Sequence, residues 1–499
     1  ELNTWLATAA RDNVNYAPSD LLRELPQDLL AAVGNLDPVA LQCSYSDVDY
    51  LYQCRLTKHL AEWIVQLPLR DSLLEPLLDQ FAQDLSPADR LQLFDAYKLF
   101  DWTIRNVALE SNGSNVEATT RDPRGPVDDS GLGYGYLPWE TLLFSSGDFI
   151  ERGRVFSALA AQRGIDTAWI SVGDSDSQPG NLWTIAVLIA DEILLFEPKL
   201  GLPILEPDQV ALATLQQARD NERILRRLDL PGKFDYAFAH SDLQSFEFLI
   251  DAPPVAASAR MKMLEQALLR DERMVIYQDL DRLRGQLQKL YPEHAVHLWQ
   301  TPLLAQVQAA TVRERLQNPS PYSMNYMAMH GVWLLENPAA TGRLKHLFGE
   351  FENTLDGQGA LSMYMNSRID ELTIEKLAYD PEVRHELGIA PTPGESKEQY
   401  GMRIQQAQYI FGRSKVDAAF LMAQLHFDRG NYSATQDWLK KRVLGDTRAE
   451  NWWPAGHYTL ARALQESGDL EQAVAELAYQ PSPQEAGNRL RARYLRREP

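Results

Sequence analysis

Apolar residues recur at helical spacing through the first hundred positions of the chain. Leu21, Leu22, Leu25, Leu29, Leu30 and Val33 form one stripe that stops at Gly34. The pattern returns over residues 50–67 and 73–85, with Pro68 between the two. Ser86-Pro87-Ala88-Asp89 then supplies a capping serine followed by proline at the first helical position. A helix is predicted to run from there through Leu91, Phe94, Tyr97 and Trp102.

The period changes after residue 138. A helix is predicted over 151–163, followed by three apolar runs of strand length at 168–172, 182–189 and 193–196. Residues 234–238 and 246–250 read as strands that close the same sheet. Helical stripes resume at 257–270, 274–290 and 302–316. Residues 110–137 are rich in glycine and proline and read as a long loop, either one that covers the cleft or a flexible surface insertion. Near the end, residues 419–439 align with 457–477 at an offset of 38: Ala423 with Ala461, Gly430 with Gly468, Leu439 with Leu477.

Two resemblances rest on these residues. Gly147-Asp148-Phe149-Ile150-Glu151 opens a helix, Asn181-Leu182-Trp183 opens a strand, and Glu197-Pro198-Lys199-Leu200-Gly201 closes the next. The order resembles the transglutaminase-like branch of the papain-like superfamily, in which Gly-Asp-Cys-Glu, His-Ala-Trp and Asp-Pro-Thr occupy those places. The resemblance puts Phe149 at the cysteine position, Asn181 at the histidine position and Glu197 at the aspartate position. Phe149 has no nucleophilic atom, and Asn181 cannot shuttle a proton near neutral pH. The resemblance therefore implies a degenerate triad with no catalytic residue, and a cleft in which Asp148, Glu151 and Trp183 are binding candidates.

The offset repeat resembles tetratricopeptide units, whose period is about 34. Small residues at Ala423 and Ala461 would let paired helices approach, and Gly430 and Gly468 would turn the chain. Trp438, Trp452, Trp453 and Tyr458 are candidate contacts for a protein partner, or else ordinary core residues. The expected fold class is therefore α+β, a mostly helical multidomain chain. Its expected parts are a helical domain at 1–109, the loop at 110–137 and a transglutaminase-like core at 138–253 preceded by the helix 88–109. A helical domain at 254–398 and tetratricopeptide-like hairpins at 399–499 complete it.

Charge narrows the functions. The 499-residue chain carries a formal net charge of −21, which disfavours nucleic acid and anionic membrane surfaces as partners. No apolar run reaches the length of a membrane span. Neither a metal-ligand spacing nor a phosphate-cradling glycine loop is present, so no metal or cofactor is expected. The start at Glu1 reads as a processed or truncated end. Cys43 and Cys54 read either as a disulfide or as two buried thiols. A disulfide needs a turn near Ser44-Tyr45-Ser46-Asp47, because a straight helix would hold the two ~16 Å apart. The arginines at 489, 491, 493, 496 and 497 are expected to fold back on the acidic surface or to reach an acidic partner.

The leading expectation is a non-catalytic binding or scaffold protein of the bacterial cell envelope, periplasmic or secreted. Alternatives are a hydrolase that uses Asp148, Glu151 or Glu197 with an activated water, and a structural subunit of a large envelope assembly.

Overall fold

The computed structural model describes residues 2–9, 15–32, 37–110, 136–173, 182–208, 211–318 and 320–496. They are mostly helical with one mixed sheet, and they divide into two compact units, Glu1–Val312 with Ser482–Pro499, and Arg313–Pro481. The expected boundaries at 253/254 and 398/399 do not coincide with this division. The last 18 residues belong to the first unit, because their arginines find partners there.

In the first unit a two-residue parallel pair, β1 (Ala108–Leu109) with β2 (Ser146–Gly147), precedes a six-stranded sheet. The sheet runs in the order β6 (Leu202–Pro203), β5 (Glu192–Glu197), β4 (Leu182–Ile189), β3 (Thr167–Val172), β7 (Phe246–Ile250), β8 (Val296–Leu298). Neighbours are antiparallel except β7 with β8. β3 and β4 are buried over nearly their whole length, which suits continuous apolar runs rather than alternating ones. Thr184, the polar residue within the β4 run, donates its hydroxyl to the Phe196 carbonyl.

The helix Phe149–Gln162 packs on this sheet and on the helices Tyr45–Gln66, Pro87–Asn106 and Pro138–Phe144. Phe156 from this helix, Phe100 from Pro87–Asn106 and Phe196 from β5 have ring centroids 5.0–5.7 Å apart. Gly153 lets the Trp169 ring lie against the helix, since a Cβ there would come within 2.3 Å of it. Ser86 caps the helix Pro87–Asn106 through the Asp89 amide, as its sequence predicts.

Four expectations are corrected. The described part of the stripe, residues 21–32, forms a short 3-10 turn, Asp20–Glu24, and a separate helix, Gln27–Ala32, because Pro26 interrupts it; Val33 lies outside the described residues. Residues 234–238 do not form a strand; the backbone there turns, with the Tyr236 amide donating to Asp229. The helix expected at 274–290 begins only at Leu280. Its first residues are held extended by Gln162, which pairs with both backbone groups of Val275, and by Glu265, which accepts the amides of Ile276 and Tyr277. The disulfide does not form either: Cys43 and Cys54 are free thiols. No turn intervenes after Asp47, because the helix starts at Tyr45 and runs straight past Cys54. Burial pushes the Cys54 thiol up to about 12 and the Cys43 thiol up to about 11.

The second unit is built around the 32-residue helix Lys397–Asp428. Its stretch from Val416 to Leu425 is buried on every face, which fits its largely apolar composition; the two polar residues in it are bonded, Asp417 accepting the Trp452 N–H and Gln424 donating to Thr459. It forms an antiparallel hairpin with Tyr432–Trp438, and Trp453–Glu466 forms a second with Leu470–Leu477. The two turns are equivalent at the offset of 38. Gly430 and Gly468 take φ of 76° and 82°. The amides of Asn431 and Asp469 close onto the carbonyls of His426 and Leu464, and those of Gly430 and Gly468 onto Phe427 and Gln465. The first hairpin then adds a π-turn, Leu439–Val443.

Candidate functional site

Asp148 stands at the N-cap of the helix Phe149–Gln162. Its Oδ1 accepts the Glu151 amide at 2.9 Å, and Glu151 Oε2 accepts the Asp148 amide at 3.0 Å. The other Glu151 oxygen accepts the Tyr136 amide at 3.1 Å. Both carboxyl groups are enclosed, and burial raises the pKa of each, Glu151 with a further push from the neighbouring Asp148 charge. These two acids therefore hold a helix end, and their oxygens are taken up by backbone amides.

Phe149, at the first helical position, is half buried. Its ring lies 6.4 Å from that of Trp169, and the exposed Lys199 ammonium sits 5.9 Å from its centroid. Asn181 and residues 111–135, the greater part of the expected loop, lie outside the described residues.

Glu197 ends β5 and is 3% exposed. Its Oε2 accepts the Tyr236 hydroxyl at 2.7 Å, and its Oε1 accepts the Lys199 amide at 3.1 Å. The Tyr236 oxygen in turn accepts the indole N–H of Trp183 at 2.7 Å. Trp183, Tyr236 and Glu197 thus form one buried hydrogen-bonded chain. Burial pushes the Glu197 carboxyl up to about 7 against the lowering effect of the Tyr236 bond. Burial beside Glu197 raises Tyr236 well above the usual phenol range. Tyr236 escapes a sequence reading because nothing in residues 234–238 marks a buried hydrogen-bonding hydroxyl; the alternation of aromatic residues there points to a strand.

Arg152 lies one turn into the same helix and is 2% exposed. It donates to the carbonyls of Ile104 and Val107, at the C-terminal end of the helix Pro87–Asn106, and to Pro198 and Gln484 Oε1. A guanidinium at a helix C-terminus satisfies carbonyls left without helical partners and complements the dipole. It ties the turn after Glu197 to both helices.

In the second unit the four aromatic candidates separate. Trp452 is enclosed, stacked on Phe420 at 4.3 Å, with its N–H donated to Asp417 Oδ1 at 2.7 Å. That bond satisfies the one polar atom of the ring and permits its burial. Tyr458 is also buried. Neither is available to a partner. Trp438 and Trp453 are half buried, Trp438 beneath the Arg368 guanidinium at 4.7 Å and Trp453 donating to the Val443 carbonyl.

Among the described residues no group of three or more His, Cys, Asp or Glu side chains is arranged to hold a metal ion, and no helix is long and apolar enough to cross a membrane. Comparison with protein-family models, with curated proteins and with solved structures gives no match.

Proposed function

We propose that the chain is a non-catalytic binding and scaffold protein of the bacterial cell envelope. In this reading a transglutaminase-like core has lost its triad, and tetratricopeptide-like hairpins receive a protein partner. The observation that carries it is the closed chain from Trp183 through Tyr236 to Glu197. The acid at the aspartate position is turned inward onto a phenol, beside a phenylalanine where a thiolate would be needed.

The element order supports the core reading: the helix Phe149–Gln162 leads into three consecutive antiparallel strands, β3 to β5. The matched caps at Gly430 and Gly468 support the repeat reading, and the half-buried Trp438 and Trp453 are its contact residues. The envelope assignment rests on the resemblance to the transglutaminase-like family alone, since the free thiols remove the disulfide as an argument for an oxidising compartment.

The carboxylate hydrolase makes a different claim, that Asp148, Glu151 or Glu197 activates water. The full chain is assayed on a panel of ester and amide substrates beside Glu197→Gln and Asp148→Asn. Turnover by the wild type that disappears in either variant overturns the non-catalytic reading. A partner captured by the wild type and lost with Trp453→Ala, at unchanged circular dichroism, supports it.

A further inference from the structure

We propose that the second unit carries a binding site for a small phosphomonoester, clamped between Arg368 and Arg442. The inference is independent of the lost triad.

The site is a cleft of about 380 Å³, within the size range of small-molecule sites. Val416 and Ala419 of the helix Lys397–Asp428 contribute apolar, buried side chains to it. Its walls concentrate five cations, Arg368, Lys415, Lys441, Arg442 and Arg448, against two acids, Glu371 and Asp446. That is a local excess of positive charge on a chain whose net charge is −21.

The two acids are already committed. Glu371 pairs with Lys415 at 2.7 Å and with Arg448 at 3.0 Å, and Asp446 pairs with Arg448 at 2.7 Å. Lys441 is paired with Asp437. Arg368 and Arg442 remain: among the described residues, neither guanidinium lies within ion-pair distance of a carboxylate. They also oppose one another. Partial burial lowers the Arg368 pKa and the Arg442 charge lowers it further, against the raising effect of Glu371. Both side chains line the same cleft, where an anion between them would relieve the repulsion.

Arg368 is fixed for that task. Its guanidinium carbon sits 4.7 Å from the Trp438 ring centroid, and its Nε is buried without a hydrogen-bond partner. The cation–π contact holds the guanidinium in place before any ligand arrives. Arg442 comes from the π-turn Leu439–Val443 and is exposed. The chemistry selects the ligand. Two unpaired guanidinium groups call for about two negative charges, which a phosphomonoester carries near pH 7 and a single carboxylate does not. A nucleic acid would need a basic stripe rather than one pair of arginines in a cleft.

The test is a calorimetric titration of the full chain with inorganic phosphate, against sodium chloride of equal ionic strength. Saturable binding is expected, weakened at least tenfold by Arg442→Gln, an exposed position whose change leaves the fold intact, and likewise by Arg368→Gln. Lys289→Gln, in the first unit, should leave it unchanged. The proposal is overturned by no saturable heat up to tens of millimolar phosphate, by undiminished binding in Arg442→Gln, or by equal binding of acetate, which would assign the cleft to carboxylates.

Discussion

Tyr236 donates its hydroxyl to Glu197 across 39 positions of sequence, while accepting the indole N–H of Trp183. One phenolic oxygen thereby satisfies a donor on β4 and an acceptor on β5, in a place with no water contact to replace it. Tyr236→Phe keeps the ring and removes the oxygen, leaving the Trp183 N–H without this acceptor and the Glu197 carboxyl without this donor. The expected loss is about 1–3 kcal/mol for groups left unsatisfied in the interior. Urea unfolding followed by tryptophan fluorescence measures it.

The same carboxyl makes stability depend on pH. Its pKa rises from 4.5 in the unfolded chain to about 7 in the fold. Between these values the folded protein holds a proton that the unfolded chain has released, so the native state is favoured by acid. Stability is expected to fall as pH rises from 4.5 to 7, and to level off above that. Glu197→Gln keeps an acceptor for Tyr236 and cannot titrate, so it should flatten the slope, removing a total change on the order of 3 kcal/mol across that window. An unchanged slope in the variant would show that Glu197 is ionised throughout.

Gly153 gives a test in which the usual sign reverses. In an exposed helix interior, alanine is preferred over glycine by about 1 kcal/mol. Here a Cβ would lie 2.3 Å from Trp169 Cζ2 and 2.9 Å from Ile185 Cδ1, both on fully buried side chains. Overpacking of this kind costs about 1–3 kcal/mol, so Gly153→Ala is expected to lower the melting temperature. Trimming the obstruction in Gly153→Ala/Trp169→Leu should make the alanine less harmful than it is alone, as a double-mutant cycle would record.

What the chain reveals by itself follows a physical rule. β3, β4 and β5 can be read to within about a residue because each is a short, continuous apolar run bounded by turn residues. Ser86-Pro87 is legible because capping is a local rule of spacing. The paired glycines at 430 and 468 carry the hairpins for the same reason. Contacts between distant residues leave no such mark. Gln162 holding Val275 extended, Tyr236 reaching Glu197, and Asp417 accepting the Trp452 N–H each join elements whose local sequences give no hint of the partner. Aromatic residues are ambiguous for a related reason: Trp438 and Trp452 look alike in sequence, and only the partner of each indole separates a half-exposed ring from a core one.

The equivalence of the two hairpins has an energetic corollary. Gly468 has φ of 82° and no atom within 4 Å of an added Cβ, so Gly468→Ala meets only backbone strain. The expected loss is about 1–2 kcal/mol, the penalty for a side chain in the left-handed region. Gly430, at φ of 76° with the same pair of closing bonds, should respond alike in thermal unfolding. A loss at one glycine and none at the other would separate the two turns.

The last helix, Glu485–Arg496, is bound to the start of the chain by Arg491, whose two terminal nitrogens reach the two oxygens of Asp71 at 3.1 and 2.8 Å. Both side chains are almost fully buried, and Tyr97 also donates to Asp71. Arg493 adds bonds to the carbonyls of Arg227 and Asp229. Gly487 seats the helix against the turn after Glu197, where a Cβ would run into the Leu200 carbonyl. Arg491→Met removes the cation and leaves the carboxylate enclosed, which typically costs about 3–5 kcal/mol. Asp71→Asn/Arg491→Met removes both charges, so it should recover a large part of that loss. Chemical denaturation of the full chain reads both variants, and the first unit is expected to carry the shift. Equal losses in the single and double variants would show that the helix is held by its packing rather than by this ion pair.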